Sequence, residues 1–127
     1  MRDYIRYWPA GVFEDKDGVV VPCKFVSLDQ AAASSNVQAV AAVTGKKIKV
    51  LKITVSSDTV ETQIRFKNGS GGGNLYFIVA PDITLNPPNA DIDGGLFGLC
   101  ETSAGTGLYF DTGAGDDVHI NLTYIEV

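Results

Sequence analysis

Basic residues are missing from the second half of the chain. No Lys or Arg follows Lys67, whereas Asp82, Asp91, Asp93, Glu101, Asp111, Asp116, Asp117 and Glu126 all do. With a net charge of -5 and no aromatic residue among the lysines, the chain lacks the footprint of a nucleic-acid-binding protein, and no nucleic-acid partner is expected. Cysteine is scarce too. Cys23 and Cys100 are isolated in sequence, which excludes a CxxC redox pair and a zinc-ligand cluster, and both are expected as buried free thiols. The single histidine, His119, has only Asp116 and Asp117 near it in sequence, the composition of a solvated turn, so no catalytic residue, metal ligand or cofactor is expected. No apolar run approaches the roughly 18 residues that would span a bilayer. The opening Met-Arg-Asp-Tyr-Ile-Arg-Tyr-Trp-Pro has no apolar signal-peptide core, which predicts folding in a cytoplasm and no membrane partner.

What the chain does have is β-strand chemistry. Its 127 residues suit one domain large enough to bury a core without staples, and 14 glycines and 5 prolines predict many turns between short elements. Gly45 to Phe66 reads as two antiparallel strands joined at Ser56-Ser57-Asp58. In the second, Val60, Thr62, Ile64 and Phe66 alternate with Glu61, Gln63, Arg65 and Lys67, the period of a strand with one dry and one wet face. In the first, Ile48 and Val50 are in one phase and Leu51, Ile53 and Val55 in the other, so a bulge at Val50-Leu51 is expected to keep the lysines wet.

Before this pair, residues 1–18 carry Tyr4, Arg6, Tyr7, Trp8 and Phe13 without periodicity, and are expected to be an N-terminal arm that either binds a partner or folds back on its own domain. The β domain is then 19–127. Val19, Val21, Cys23 and Phe25 alternate in a strand that Pro22 confines to a sheet edge. Val37 to Val43 reads as a strand of small residues packed on both faces. The Asn68–Asn74 stretch reads as a flexible loop, since no helix follows to make it a phosphate loop. Pro81 to Gly95 reads as a long surface loop in which Asp91 and Asp93 only faintly suggest a calcium ligand set. Leu96–Glu101 and Gly107–Asp111 suggest another hairpin, and Val118, Ile120, Leu122 and Tyr124 face inward from a last strand. Seven or eight short strands at this spacing predict an all-β fold, an antiparallel β-sandwich of jelly-roll type.

Lys46, Lys47, Lys49 and Lys52 form a basic patch opposite in sign to the later acidic half, which makes them candidates for subunit or partner contact. Four pieces also carry a resemblance: Val40-Ala41-Ala42-Val43-Thr44-Gly45-Lys46-Lys47-Ile48-Lys49-Val50-Leu51, a later Phe-containing strand before a Gly/Ser loop, Leu99-Cys100-Glu101-Thr102-Ser103-Ala104-Gly105, and the closing Leu122-Thr123-Tyr124-Ile125-Glu126-Val127. Over about residues 37–127 the chain resembles small virion proteins of tailed bacteriophages, some of them similar to capsid decoration or cement proteins. Leu99-Cys100 stands where such relatives carry an aromatic residue. The resemblance implies a non-enzymatic homotrimer on the outer surface of the head, bound to the major capsid protein. The competing expectation is a carbohydrate- or receptor-binding module of a fibre, stacking sugars on Trp8, Tyr76, Tyr109 or Tyr124.

Overall fold

In the computed structural model, the described residues are 6–8, 12–14, 19–31, 33–57, 62–80, 90–94, 98–113 and 117–127. The strands are β1 (Arg6–Trp8), β2 (Val12–Glu14), β3 (Val20–Pro22), β4 (Lys24–Gln30), β5 (Val37–Val40), β6 (Ile48–Ser57), β7 (Thr62–Asn68), β8 (Asn74–Ala80), β9 (Ala90–Asp93), β10 (Cys100–Glu101), β11 (Leu108–Thr112) and β12 (Val118–Glu126). Every pairing between them is antiparallel.

Two sheets face each other. In the first the order is β4-β12-β6, with β9 and β10 end to end along the far side of β6; in the second it is β5-β11-β7-β8. The fold is therefore an all-β sandwich. The core lies between the sheets, where Ile48, Val50, Ile53, Val55, Val118, Ile120 and Leu122 meet Ile64, Phe66, Ile78, Leu108 and Phe110. The inward phase expected for β7 and β12 holds for Ile64, Phe66, Val118, Ile120 and Leu122, with Tyr124 packed at the margin, while Val60 lies outside the described residues.

The expected Gly45–Phe66 hairpin is not formed. β6 and β7 belong to opposite sheets, and Ser56 and Ser57 are still strand, opposite His119 and Val118 of β12. Alternation within each strand fixes which face is dry, but it is blind to whether the next strand pairs alongside or crosses over the core. The same holds for the second expected hairpin, because β10 lies in the first sheet and β11 in the second.

The bulge in β6 is present. Tyr124 pairs with Val50 and Thr123 with Lys52, leaving Leu51 as the extra residue. Its consequence differs from expectation, because Leu51 turns away from the main core into a second cluster with Ile125, flanked by Val21, Cys23 and Val127. One end of β6 is thus covered on both faces.

Residues 1–18, expected as an unpatterned arm, contribute β1 and β2, which pair with each other and then with β3 in a three-stranded sheet. Two further corrections concern strand phase. Inward alternation breaks after Cys23: Val26 and Leu28 pack on the core while Phe25 points outward, 67% exposed. The small-residue strand stops at Val40, and Ala41 and Ala42 are exposed.

The Asn68–Asn74 segment is pinned, not loose. Asn68 N–H donates to Gly73 O at 2.9 Å, Gly72 N–H to Gly69 O at 3.2 Å, and Gly71 N–H to the Asn36 side-chain oxygen at 2.8 Å. Gly71 has φ +70 with open space around its Cα, so its cost on substitution is conformational. Gly71→Ala is expected to destabilise by about 1 kcal/mol in chemical denaturation, the strain of an L side chain in the left-handed region. The expected Pro81–Gly95 loop is interrupted by β9, while residues 81–89 lie outside the described set.

Candidate interaction surfaces

The sequence separates basic from acidic residues, and the fold brings them back together. Lys47 Nζ lies 3.5 Å from Glu101, Lys24 Nζ 2.9 Å from Glu126, and Lys67 Nζ 3.0 Å from Asp111. In register, Lys49 stands opposite Glu101 and Lys52 opposite Asp93. The basic strand is therefore flanked by the acidic strands β9 and β10 of its own chain. Of the four candidate lysines, Lys46 and Lys47 are exposed at the entry to β6, whereas Lys49 and Lys52 are half-buried along it. Lys46 also lines a shallow groove of about 260 Å³ with Val19–Pro22, Lys24 and Glu126.

Of the arm candidates, Tyr4 lies outside the described residues. Arg6, Tyr7 and Trp8 form β1, and Phe13 is the central residue of β2, opposite Tyr7 and Val21.

Asp111 is held through both of its carboxylate oxygens. Its Oδ1 accepts the Asn36 N–H at 2.7 Å and its Oδ2 pairs with Lys67. The Asn36 amide, then Lys67 and Arg65, hold its pKa below the ordinary 3.8, against the opposing effect of burial. A lowered folded-state pKa stabilises the native state above the unfolded value, and that contribution disappears as pH falls through the folded value. The melting temperature is accordingly expected to fall on acidification below about pH 4. Asp111→Asn should melt lower at neutral pH and show a flatter acid limb, read by circular dichroism across a pH series.

Of the two aspartates near His119 in sequence, Asp117 is exposed just before β12. Asp116 lies outside the described residues, and the His119 Nδ1 meets Asp29 Oδ1 of β4 at 2.7 Å. Beside them Ser27 Oγ donates to Asn121 Oδ1 at 2.6 Å. These pairs decorate the outer face of the first sheet, where long-range strand pairing brings together residues that sequence proximity could not reveal.

The two cysteines are unbridged and lie in different clusters, Cys100 against the main core and Cys23 against Leu51 and Ile125. Burial first, then the neighbouring Glu101, pushes the Cys100 thiol up to about 11, and burial raises Cys23 as well. Both are thus poor nucleophiles near neutral pH.

Two surface features escaped the sequence reading. On β8, Phe77 and Val79 point outward, 50% and 40% exposed, with the Arg65 guanidinium 5.8 Å from the Phe77 ring centre. On β4, Phe25 is bare. Leu75 to Val79 is apolar at every position, so periodicity could not assign its wet face. Two of the aromatics weighed as sugar platforms, Tyr76 and Tyr124, are packed against the core, and Tyr109 accepts a hydrogen bond from Gln38 at 3.2 Å. No protein-family model, curated protein or solved structure matches this chain.

Proposed function

We propose that this chain is a structural protein of a bacteriophage virion, a decoration protein that sits on the outer surface of the head as a homotrimer and binds the major capsid protein. The observation that carries the reading is the strand order. β4-β12-β6-β9/β10 over β5-β11-β7-β8, with the chain changing sheet at nearly every connection, is the order of two interlocked Greek keys. We read it as a jelly roll, an architecture that recurs in viral capsid and lectin domains. Fold analogy alone does not assign a role. Its support comes from the resemblance in the Ala41–Leu51 and Glu101–Gly105 segments, and from the exposed aromatics Phe25 and Phe77, side chains of the kind used in protein contacts.

Light scattering at micromolar concentration should give three times the 13.5 kDa chain mass, and mass spectrometry with imaging of purified particles should find the protein on the head. A monomer that is missing from particles overturns the reading. Deleting residues 1–18 removes β1 and β2 but leaves Val21 and Cys23 on their cluster, so the truncated chain should keep its fold and trimer mass and lose binding to particles lacking the protein. Binding as tight as that of the full chain would move the attachment surface to Lys46–Lys52.

A further inference from the structure

The four sheet edges of the sandwich are not equally protected against edge-to-edge association. β4 carries Lys24 and Asp29, β5 has only four residues, and the β9/β10 edge carries Asp91, Asp93 and Glu101. Charges and short length are the usual means of keeping an edge from recruiting another chain. β8 has neither. Asn74-Leu75-Tyr76-Phe77-Ile78-Val79-Ala80 is seven residues without a charge or a proline, and among the described strands it pairs with β7 alone. Its outward face is Phe77 and Val79, with Arg65 over the Phe77 ring.

A complementary patch lies on the diagonally opposite corner. β4 ends the first sheet on the flank where it packs near β5, whereas β8 ends the second sheet on the flank where it packs near β6 and β10. From β4, Phe25, Ser27 and Asp29 point outward on the face away from the core. Each patch holds one aromatic and one charge, and the two charges are opposite: Phe77 under the Arg65 guanidinium on one, Phe25 with Asp29 four residues further along β4 on the other. The Asp29 side chain is 83% exposed and can take a cationic partner in addition to its contact with His119.

We propose that the β8 patch of one copy docks on the β4 patch of a second copy, with Arg65 facing Asp29 across the contact. The partner is another copy of this chain because charge and aromatic content match between two surfaces of the same molecule. Since the two patches differ, the contact is head-to-tail, and it closes into a ring or continues as a filament according to the rotation per step. This deepens the trimer reading above and rests on self-association, not on the virion assignment.

The test is charge reversal, with association followed by sedimentation and single-particle mass measurement over a dilution series. Arg65→Asp and Asp29→Arg are each expected to weaken self-association by about tenfold or more, and the two combined in one chain to restore it to within about threefold, because like charges brought together are penalised and the swapped pair is not. Phe77→Ser should weaken association with an unchanged melting temperature. A combined variant as weak as the single ones, a Phe77→Ser chain that associates normally, or a native chain monomeric at hundreds of micromolar would overturn the proposal. The two readings fail separately. Rescue by the swapped pair in a protein missing from particles would sink the virion role and keep this contact; particle binding unaffected by any of these variants, in a chain that stays monomeric, would do the reverse.

Discussion

Phe66→Ala is expected to destabilise the domain by about 3 to 5 kcal/mol in denaturant unfolding, the range for removing a fully buried aromatic side chain. Phe66 is wholly inaccessible and sits mid-strand in β7, between β11 and β8. Its ring packs on Phe110 with centroids 6.0 Å apart at 45°, so the substitution removes an aromatic contact as well as apolar area. β7 itself is held by ladders on both sides and cannot collapse far into the space left. Gln63→Ala, on the wet face of the same strand, should shift stability by no more than about 0.5 kcal/mol. Equal unfolding midpoints for the two variants would reject the strand phase. Lys67 is the poorer control, because its ammonium is tied to Asp111.

Thr102→Val is expected to cost about 2 to 4 kcal/mol, since each buried polar group left without its partner loses roughly 1 to 3. The Thr102 hydroxyl is buried, accepts the Ile48 N–H at 2.9 Å and donates to Thr106 O at 2.8 Å, so valine keeps the shape and strands both groups. The surrounding segment ties the two sheets together. Ser103 N–H donates to the Asn68 side-chain oxygen and Gly105 N–H to Lys46 O, joining the start of β6 to the end of β7. Thr102→Ser should recover most of the loss in the same unfolding measurement. A valine variant as stable as the native protein would mean that these hydrogen bonds carry no net stability.

The Glu101–Gly105 segment illustrates what could be read in the chain and what could not. Its residue types stand out in sequence, but the contact that explains Thr102 is with a residue 54 positions earlier. Local periodicity assigned faces correctly in β7 and β12, but not across Cys23, where the alternation changes phase and Phe25 turns to water. It located the β6 bulge as well, since a phase slip is itself a local signal. Partnership was another matter: β6 and β7 read as a hairpin because consecutive strands usually pair, and only the packing of two sheets around one core reverses that. The glycine segment read as loose because its tether, Asn36, lies 35 residues away. Phe77 was hidden because an aromatic in an apolar run reads as core, and Phe25 because it continues an alternation that changes phase after Cys23; only the completed sheets show which side meets water.

The place of β12 sets the order in which this molecule can be built. It lies between β4 and β6, bonded to both along nearly its whole length, and the Ser27–Asn121 contact spans 94 residues. Until β12 is synthesised, β4 and β6 have no common neighbour, and β6 holds its lysines beside none of the carboxylates of β9 and β10 until those follow. A nascent chain therefore exposes an unneutralised cationic strand until β9 and β10 emerge, and a half-sheet until β12 does. Closure of such distant contacts is slow, because chain entropy is lost before packing rewards it. Folding should then come as one late event, and a chain interrupted before β12 would present two bare strand edges to its neighbours.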